Sequence, residues 1–179
     1  MPQNLAIDGK AFYTVRIKIS PSSDFRRVIH ALDCVEFPSL KVTPENLKFA
    51  VLELVNNSVR AHREREEERD ITVDMTAVDG KLHVAVRDFG GGFDPGVLPY
   101  SLESDPSTLD VLSESFLSYQ KRNAYRKFGM GILVAKRTSD RFQLVFLDEN
   151  DTPVPWDPER VAGTLIRMEL GIEDQGNGR

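Results

Sequence analysis

Glu53 and Asn57 stand four residues apart in the run E-N-L-K-F-A-V-L-E-L-V-N-N-S-V-R-A-H, Glu45 to His62. On a helix that spacing aims a carboxylate and a carboxamide into the same space. Together they offer hard oxygen ligands and a proton acceptor, a combination suited to a magnesium-bound phosphate. The same pair also suits a plain solvated helix face, and Asn56, one position early, leaves the metal ligand open by one residue. A second constellation is D-F-G-G-G-F-D, Asp88 to Asp94. An acidic side chain at a strand end can accept a hydrogen bond from an exocyclic amine, which adenine carries where guanine presents a carbonyl oxygen. Gly90, Gly91 and Gly92 allow close backbone approach and positive φ. A glycine turn capped by an aspartate is the bland alternative.

The third constellation is G-M-G-I-L-V-A-K, Gly129 to Lys136. Gly129, Met130 and Gly131 open an apolar helical segment, and small residues at a helix start let phosphate oxygens approach backbone N–H groups that carry partial positive charge. Just before it, K-R-N-A-Y-R-K supplies Lys121, Arg122, Arg126 and Lys127, cations that can neutralise a triphosphate or simply face water. The pair of glycines is neither a Walker sequence, since G-x-x-x-x-G-K-[ST] is absent, nor a dinucleotide fingerprint, since its strand context and third glycine are missing.

These residues need elements to position them. Leu47, Ala50, Val51, Leu54, Ser58 and Ala61 recur at helical spacing and give the first run a face to bury, with Thr43 and Pro44 as its start signal. Ile71 to Ala77 alternates, Asp79-Gly80 turns, and Leu82, Val84 and Val86 resume the alternation, so a hairpin delivers Asp88 to a strand end. Ahead of these, Phe12 to Ile19 reads as a strand with Tyr13, Val15, Ile17 and Ile19 inward, and Asp24 to Asp33 as a helix with Phe25, Val28, Ile29 and Leu32 on one face. Phe93 to Phe128 is loose and proline-bearing, the kind of long connection that is a mobile functional loop or poorly ordered, with a short helix within Val111 to Tyr119 presenting Leu112, Phe116 and Tyr119. Arg141 to Leu147 and Gly163 to Leu170 read as strands, with Trp156 covering an edge of the core.

The ordered set of three constellations resembles the ATP-binding fold shared by sensor histidine kinases, type II topoisomerases and the anti-sigma-factor serine kinases. A strand and a helix ahead of the glutamate-bearing helix, with no long heptad region, resemble the anti-sigma branch most. The resemblance spans about residues 12–170 and implies a single two-layer α/β (α+β) sandwich, with a mixed, largely antiparallel sheet, helices on one face and a nucleotide lid over about 93–128. It implies ATP and Mg2+ as cofactors. Asn57 then holds magnesium, Asp88, Gly90 and Gly92 match the adenine turn, Gly129, Met130 and Gly131 the phosphate turn with Lys127 beside it, and Glu53 the general base for a protein serine or threonine. Gly163-Thr164 matches the G-T that opens the last strand, where the threonine hydroxyl supports the adenine-binding aspartate. The implied partner is a regulatory protein, a sigma-like factor or its antagonist, and a homodimer is admitted. The lid is longer and richer in proline than in the compact anti-sigma kinases. A nucleotide-gated binding module without turnover, and a detached sensor-kinase catalytic domain, are the alternative expectations.

Composition narrows the classes. At 179 residues and a formal charge of -5, the chain has the size of one globular domain and no general attraction to nucleic acid. No apolar run approaches the roughly 20 residues needed to span a bilayer, and the start lacks the regions of a secretion signal, so a cytoplasmic protein without a membrane partner is expected. Cys34 cannot form an internal disulfide and reads as a small packing residue. His62 reads as exposed, either incidental or touching a phosphate near the helix end, Arg63 as able to meet Glu67 on a continuing helix, and Arg63 to Asp70 as a solvated end.

Overall fold

A computed structural model describes residues 4–122 and 130–173. The chain opens with a short hairpin, β1 (Leu5–Ile7) and β2 (Lys10–Phe12), then runs β3 (Thr14–Ile19), α1 (Phe25–Asp33), α2 (Pro44–Arg65), β4 (Ile71–Val78), β5 (Lys81–Asp88), α3 (Glu114–Arg122), α4 (Met130–Thr138), β6 (Arg141–Leu147), β7 (Pro153–Val154) and β8 (Gly163–Gly171). A six-stranded sheet forms in the order β3-β4-β5-β8-β6-β7 with every neighbouring pair antiparallel. This is the expected two-layer α/β architecture.

The alternating strands divide the sheet into two faces. Val15, Met75, Val84 and Met168 fall in one row across β3, β4, β5 and β8, and they join the core with Leu47, Val51, Leu54 and Val55 of α2 and Ile132 and Ala135 of α4. On the opposite face Arg16 pairs with Asp74 and Arg167 with Gln143, partners suited to water. Helices are therefore needed on one face only.

Helix α2 starts where its sequence signals place it. The Thr43 hydroxyl accepts from the Asn46 amide at 3.3 Å and Pro44 occupies a first-turn position with no donor to satisfy. It stops at Glu66, which adopts a left-handed conformation at φ +56°. Leu54 is 2% exposed, so Leu54→Ala would cost about 3 kcal/mol through lost burial and the cavity left behind.

Several sequence expectations are corrected. The β1–β2 hairpin and β7 are additional elements. Tyr13 is 72% exposed because pairing to β4 begins at Thr14; its carbonyl accepts from the Ala77 amide. Ile29 and Leu112 are exposed as well, Ile29 on the outer side of α1 and Leu112 just ahead of α3. Cys34 is exposed at the C-terminal cap of α1 rather than packed. Arg63 does not meet Glu67, because the helix ends between them; its guanidinium donates to the Pro21 carbonyl and Glu67 pairs with Arg69. The described part of the long connection is anchored. Leu98, Tyr100 and Phe116 form a buried cluster with Leu133 of α4, and Lys136 and Arg137 donate to the carbonyls of Leu102, Ser104, Pro106 and Leu109.

Candidate functional site

Between α2, the glycine turn and the start of β8 lies a cavity of about 280 Å³. At its closed end stands Asp88, 7% exposed at the last position of β5. Its Oδ1 accepts from the Gly90 amide at 2.8 Å; its Oδ2 accepts from the Ser58 hydroxyl at 3.0 Å and the Thr164 hydroxyl at 2.5 Å. Three donors from a turn, a helix and a strand fix one carboxylate, which as an acceptor of about four hydrogen bonds still has room for one more. Asp88 and Thr164 are direct neighbours in the β5–β8 register, so the threonine's reach follows from the pairing.

Backbone approach around this carboxylate is close enough to demand glycine. A β-carbon on Gly163 would sit 2.0 Å from the Asp88 carbonyl oxygen, and one on Gly90 would sit 2.4 Å from the Ala61 β-carbon of α2. The second explains why the turn lies against the helix. Gly91 and Gly92 take φ of +76° and +67°, and Arg65 packs its guanidinium against Gly91.

Asn57, Ser58, Asp88, Gly90, Gly92 and Thr164 all line the cavity, together with Leu54, Phe93, Ile132 and Ile166 as apolar walls. Asn57 is on the wall, and Asn56 is exposed without lining it. The Asn57 Oδ1 accepts from the Arg60 guanidinium at 3.0 Å. Glu53 is half-buried one turn earlier, outside the cavity lining. Gly131 is buried against both: a β-carbon there would meet Asn57 Nδ2 at 2.8 Å and the Glu53 β-carbon at 3.1 Å. Met130 turns toward the Leu98, Tyr100 and Phe116 cluster rather than the cavity. Lys127 and Gly129, with Arg126, lie outside the described residues.

Sequence reasoning missed Ser58 as a ligand of Asp88, Arg60, Glu64 and Arg65 as cavity walls, and His62, which is 0% exposed rather than on the surface. The spacing did hold a signal. Ala50, Leu54, Ser58 and His62 fall at successive intervals of four, one stripe that runs from the core to the turn.

The donor set suits a purine at one end and phosphates at the other. A carboxylate with spare acceptor capacity, held among apolar walls, matches an exocyclic amine; a carboxamide, a guanidinium and a glycine-opened helix match phosphate oxygens. Among the described residues no group of three or more His, Cys, Asp or Glu side chains is assembled to hold a metal. Asn57 and the phosphates of a bound nucleotide would together hold a magnesium ion, which commonly keeps waters and few protein ligands.

A family model for the histidine kinase-like ATPase domain matches residues 22–154, well over half of the chain. The match takes in α2, the glycine turn and α4. No curated protein matches this chain.

Proposed function

The chain belongs to the histidine kinase-like ATPase domain family, and from that premise we propose that it is an ATP-dependent protein serine/threonine kinase of the anti-sigma-factor kind, with Mg2+ as its metal. The observation that carries this reading is the Asp88 carboxylate fixed by Ser58, Thr164 and the Gly90 amide at one end of a cavity that Asn57 also lines, with Glu53 one helical turn before Asn57 and its β-carbon beside Gly131.

In this reading Asp88 accepts from the exocyclic amine of adenine, with Ser58, Thr164 and the Gly90 amide holding it in place. Gly92 gives the base close access. Asn57 holds magnesium, which offsets phosphate charge, and Arg60 releases the Asn57 oxygen to meet phosphate oxygens itself. Gly129, Met130, Gly131 and Lys127 serve the triphosphate through backbone and charge. Phosphoryl transfer needs positioning and charge neutralisation above all. Glu53 accepts the proton of a serine or threonine hydroxyl as its oxygen bonds to the γ-phosphorus, the bridging β–γ P–O bond breaks, and ADP leaves. The partner is a sigma-like factor or its antagonist, and the protein acts in the cytoplasm. No helix among the described residues is long and apolar enough to cross a membrane.

The second reading is a nucleotide-gated binding module without turnover. It is favoured by two observations: Glu53 is not part of the cavity wall, and the Asn57 oxygen is engaged by Arg60. Incubating the chain with magnesium and γ-labelled ATP and candidate antagonist proteins separates the two. Transfer that is abolished in Glu53→Gln supports the kinase. ATP-dependent partner capture, equal in native and Glu53→Gln chains and without label on any partner, supports the module.

A further inference from the structure

The most deeply buried polar side chain beside the glycine turn is one that the proposed chemistry leaves unused. His62, 0% exposed near the end of α2, accepts the Phe89 backbone N–H at its Nε2, at 2.8 Å. Its buried Nδ1 has no hydrogen-bond partner of good geometry among the described residues. An imidazole that accepts at Nε2 is neutral and carries its proton on Nδ1.

Phe89 sits between Asp88 and Gly90, so its amide is the backbone link between the carboxylate and the amide that fixes it. The ring of Phe89 is held from outside as well: the guanidinium carbon of Arg69 stands 4.0 Å from its centroid and that of Arg87 4.7 Å. Arg69 is in turn paired with Glu67 and Glu149, and Arg87 with Asp151. Four residues before His62 on the same stripe, Ser58 grips Asp88 directly. Helix α2 thus holds the turn at two adjacent points, a hydroxyl on the carboxylate and an imidazole on the next amide.

We propose that His62 is a positioning residue for the nucleotide base: as a neutral acceptor for the Phe89 amide it fixes the Asp88 carboxylate and the Gly90 amide in the geometry that receives adenine. The inference rests on the adenine reading of the cavity given above. Protonating His62 would turn both ring nitrogens into donors and leave the Phe89 N–H facing one of them. Of the groups facing the ring, Asp88 from β5 and Glu67 after α2 favour the charged form and Arg69 opposes it; burial outweighs them and lowers the His62 pKa below its ordinary 6.5. The neutral ring's contribution is therefore complete above pH 6.5 and is lost as pH falls through the lowered value.

The test pairs His62→Gln, which keeps an acceptor oxygen and does not titrate, with His62→Leu, which keeps bulk and has no acceptor. Adenosine and ATP affinities are measured by calorimetry from about pH 5 to pH 7.5, the window in which an imidazole changes charge. Phe89 amide exchange is followed by NMR in the nucleotide-free chain. The expected result is a roughly tenfold loss of adenosine affinity in the Leu variant, about the worth of one net hydrogen bond. Near-native affinity is expected in the Gln variant at neutral pH, with the native fall toward acid flattened in Gln and faster Phe89 exchange in Leu. Should His62→Leu not fold, the pH profile of His62→Gln and the native Phe89 exchange decide. Native-like binding in His62→Leu, or a Gln variant that retains the native pH dependence, overturns the role of His62 alone. A native chain that binds neither adenosine nor ATP overturns the adenine reading itself, and the Phe89 amide then reports only on the turn.

Discussion

The two ends of the cavity are built differently. At the end proposed for the base a 7%-exposed carboxylate is met by three donors from three elements, and the glycines around it are required by contacts of 2.0 and 2.4 Å that no β-carbon could occupy. At the end proposed for phosphates the Asn57 oxygen is engaged by the Arg60 guanidinium, and Glu53 stands outside the wall. The first end is complete before any ligand arrives, whereas in the proposed reading the second exchanges a partner to receive one. A preformed base site confers selectivity and affinity at little reorganisation cost, and the triphosphate end is where binding must change the protein.

Breaking the base end should give the largest effect. Asp88→Asn replaces an acceptor of three hydrogen bonds with a group that is half donor, and adenosine affinity should fall roughly a hundredfold or more, since a site built on hydrogen bonds loses most when they are mispaired. Calorimetry against adenosine reads this, and a chain that binds adenosine undiminished would remove the contrast. Next, Phe116→Ala should lower stability by about 3 kcal/mol, read as a shift in urea midpoint, because Phe116 is 2% exposed in the cluster that ties the long connection to α4. A midpoint unchanged by that substitution would mean the connection does not brace α4. Smaller, and confined to the phosphate end, Asn57→Ala should remove the magnesium dependence of ATP affinity while leaving adenosine binding near native, about a tenfold effect on ATP with magnesium present. Equal losses for adenosine and ATP would show that Asn57 serves the fold instead.

The contrast between the ends also explains what could be read from the sequence. Asp88 and its glycines were legible because turn chemistry puts few residue types in such positions, whereas Thr164 was legible only through the family resemblance; the β5–β8 pairing sets the two side by side. Thr43 and Pro44 likewise marked the start of α2. Arg60, Arg65 and His62 were not legible in that way. Long or polar residues late on a helix look solvated in one dimension, and only the approach of the glycine turn to Ala61 makes that part of α2 an inner wall. The β1–β2 hairpin, only three residues per strand, carries too little alternation to stand out from a chain end.

A fourth and smallest effect concerns the clamp behind the turn. The Arg69 guanidinium, hydrogen-bonded to Glu67, holds that carboxyl down to about 2 from an ordinary 4.5. A carboxyl lowered by folding stabilises fully above pH 4.5, and that contribution fades as pH falls toward 2. Both side chains reach solvent, so the effect on the urea midpoint should be slight, lost in Glu67→Gln, and weakened by salt. A native midpoint whose acid dependence is identical in Glu67→Gln would remove Glu67 from the clamp.

The preformed base site is tested most directly by titrating the magnesium-free native chain with adenosine and with guanosine. Magnesium-independent adenosine binding, with guanosine at least roughly a hundredfold weaker because its carbonyl oxygen would face the Asp88 carboxylate, is the predicted result. Guanosine binding as well as adenosine, or adenosine binding only once magnesium and phosphates are present, would contradict it.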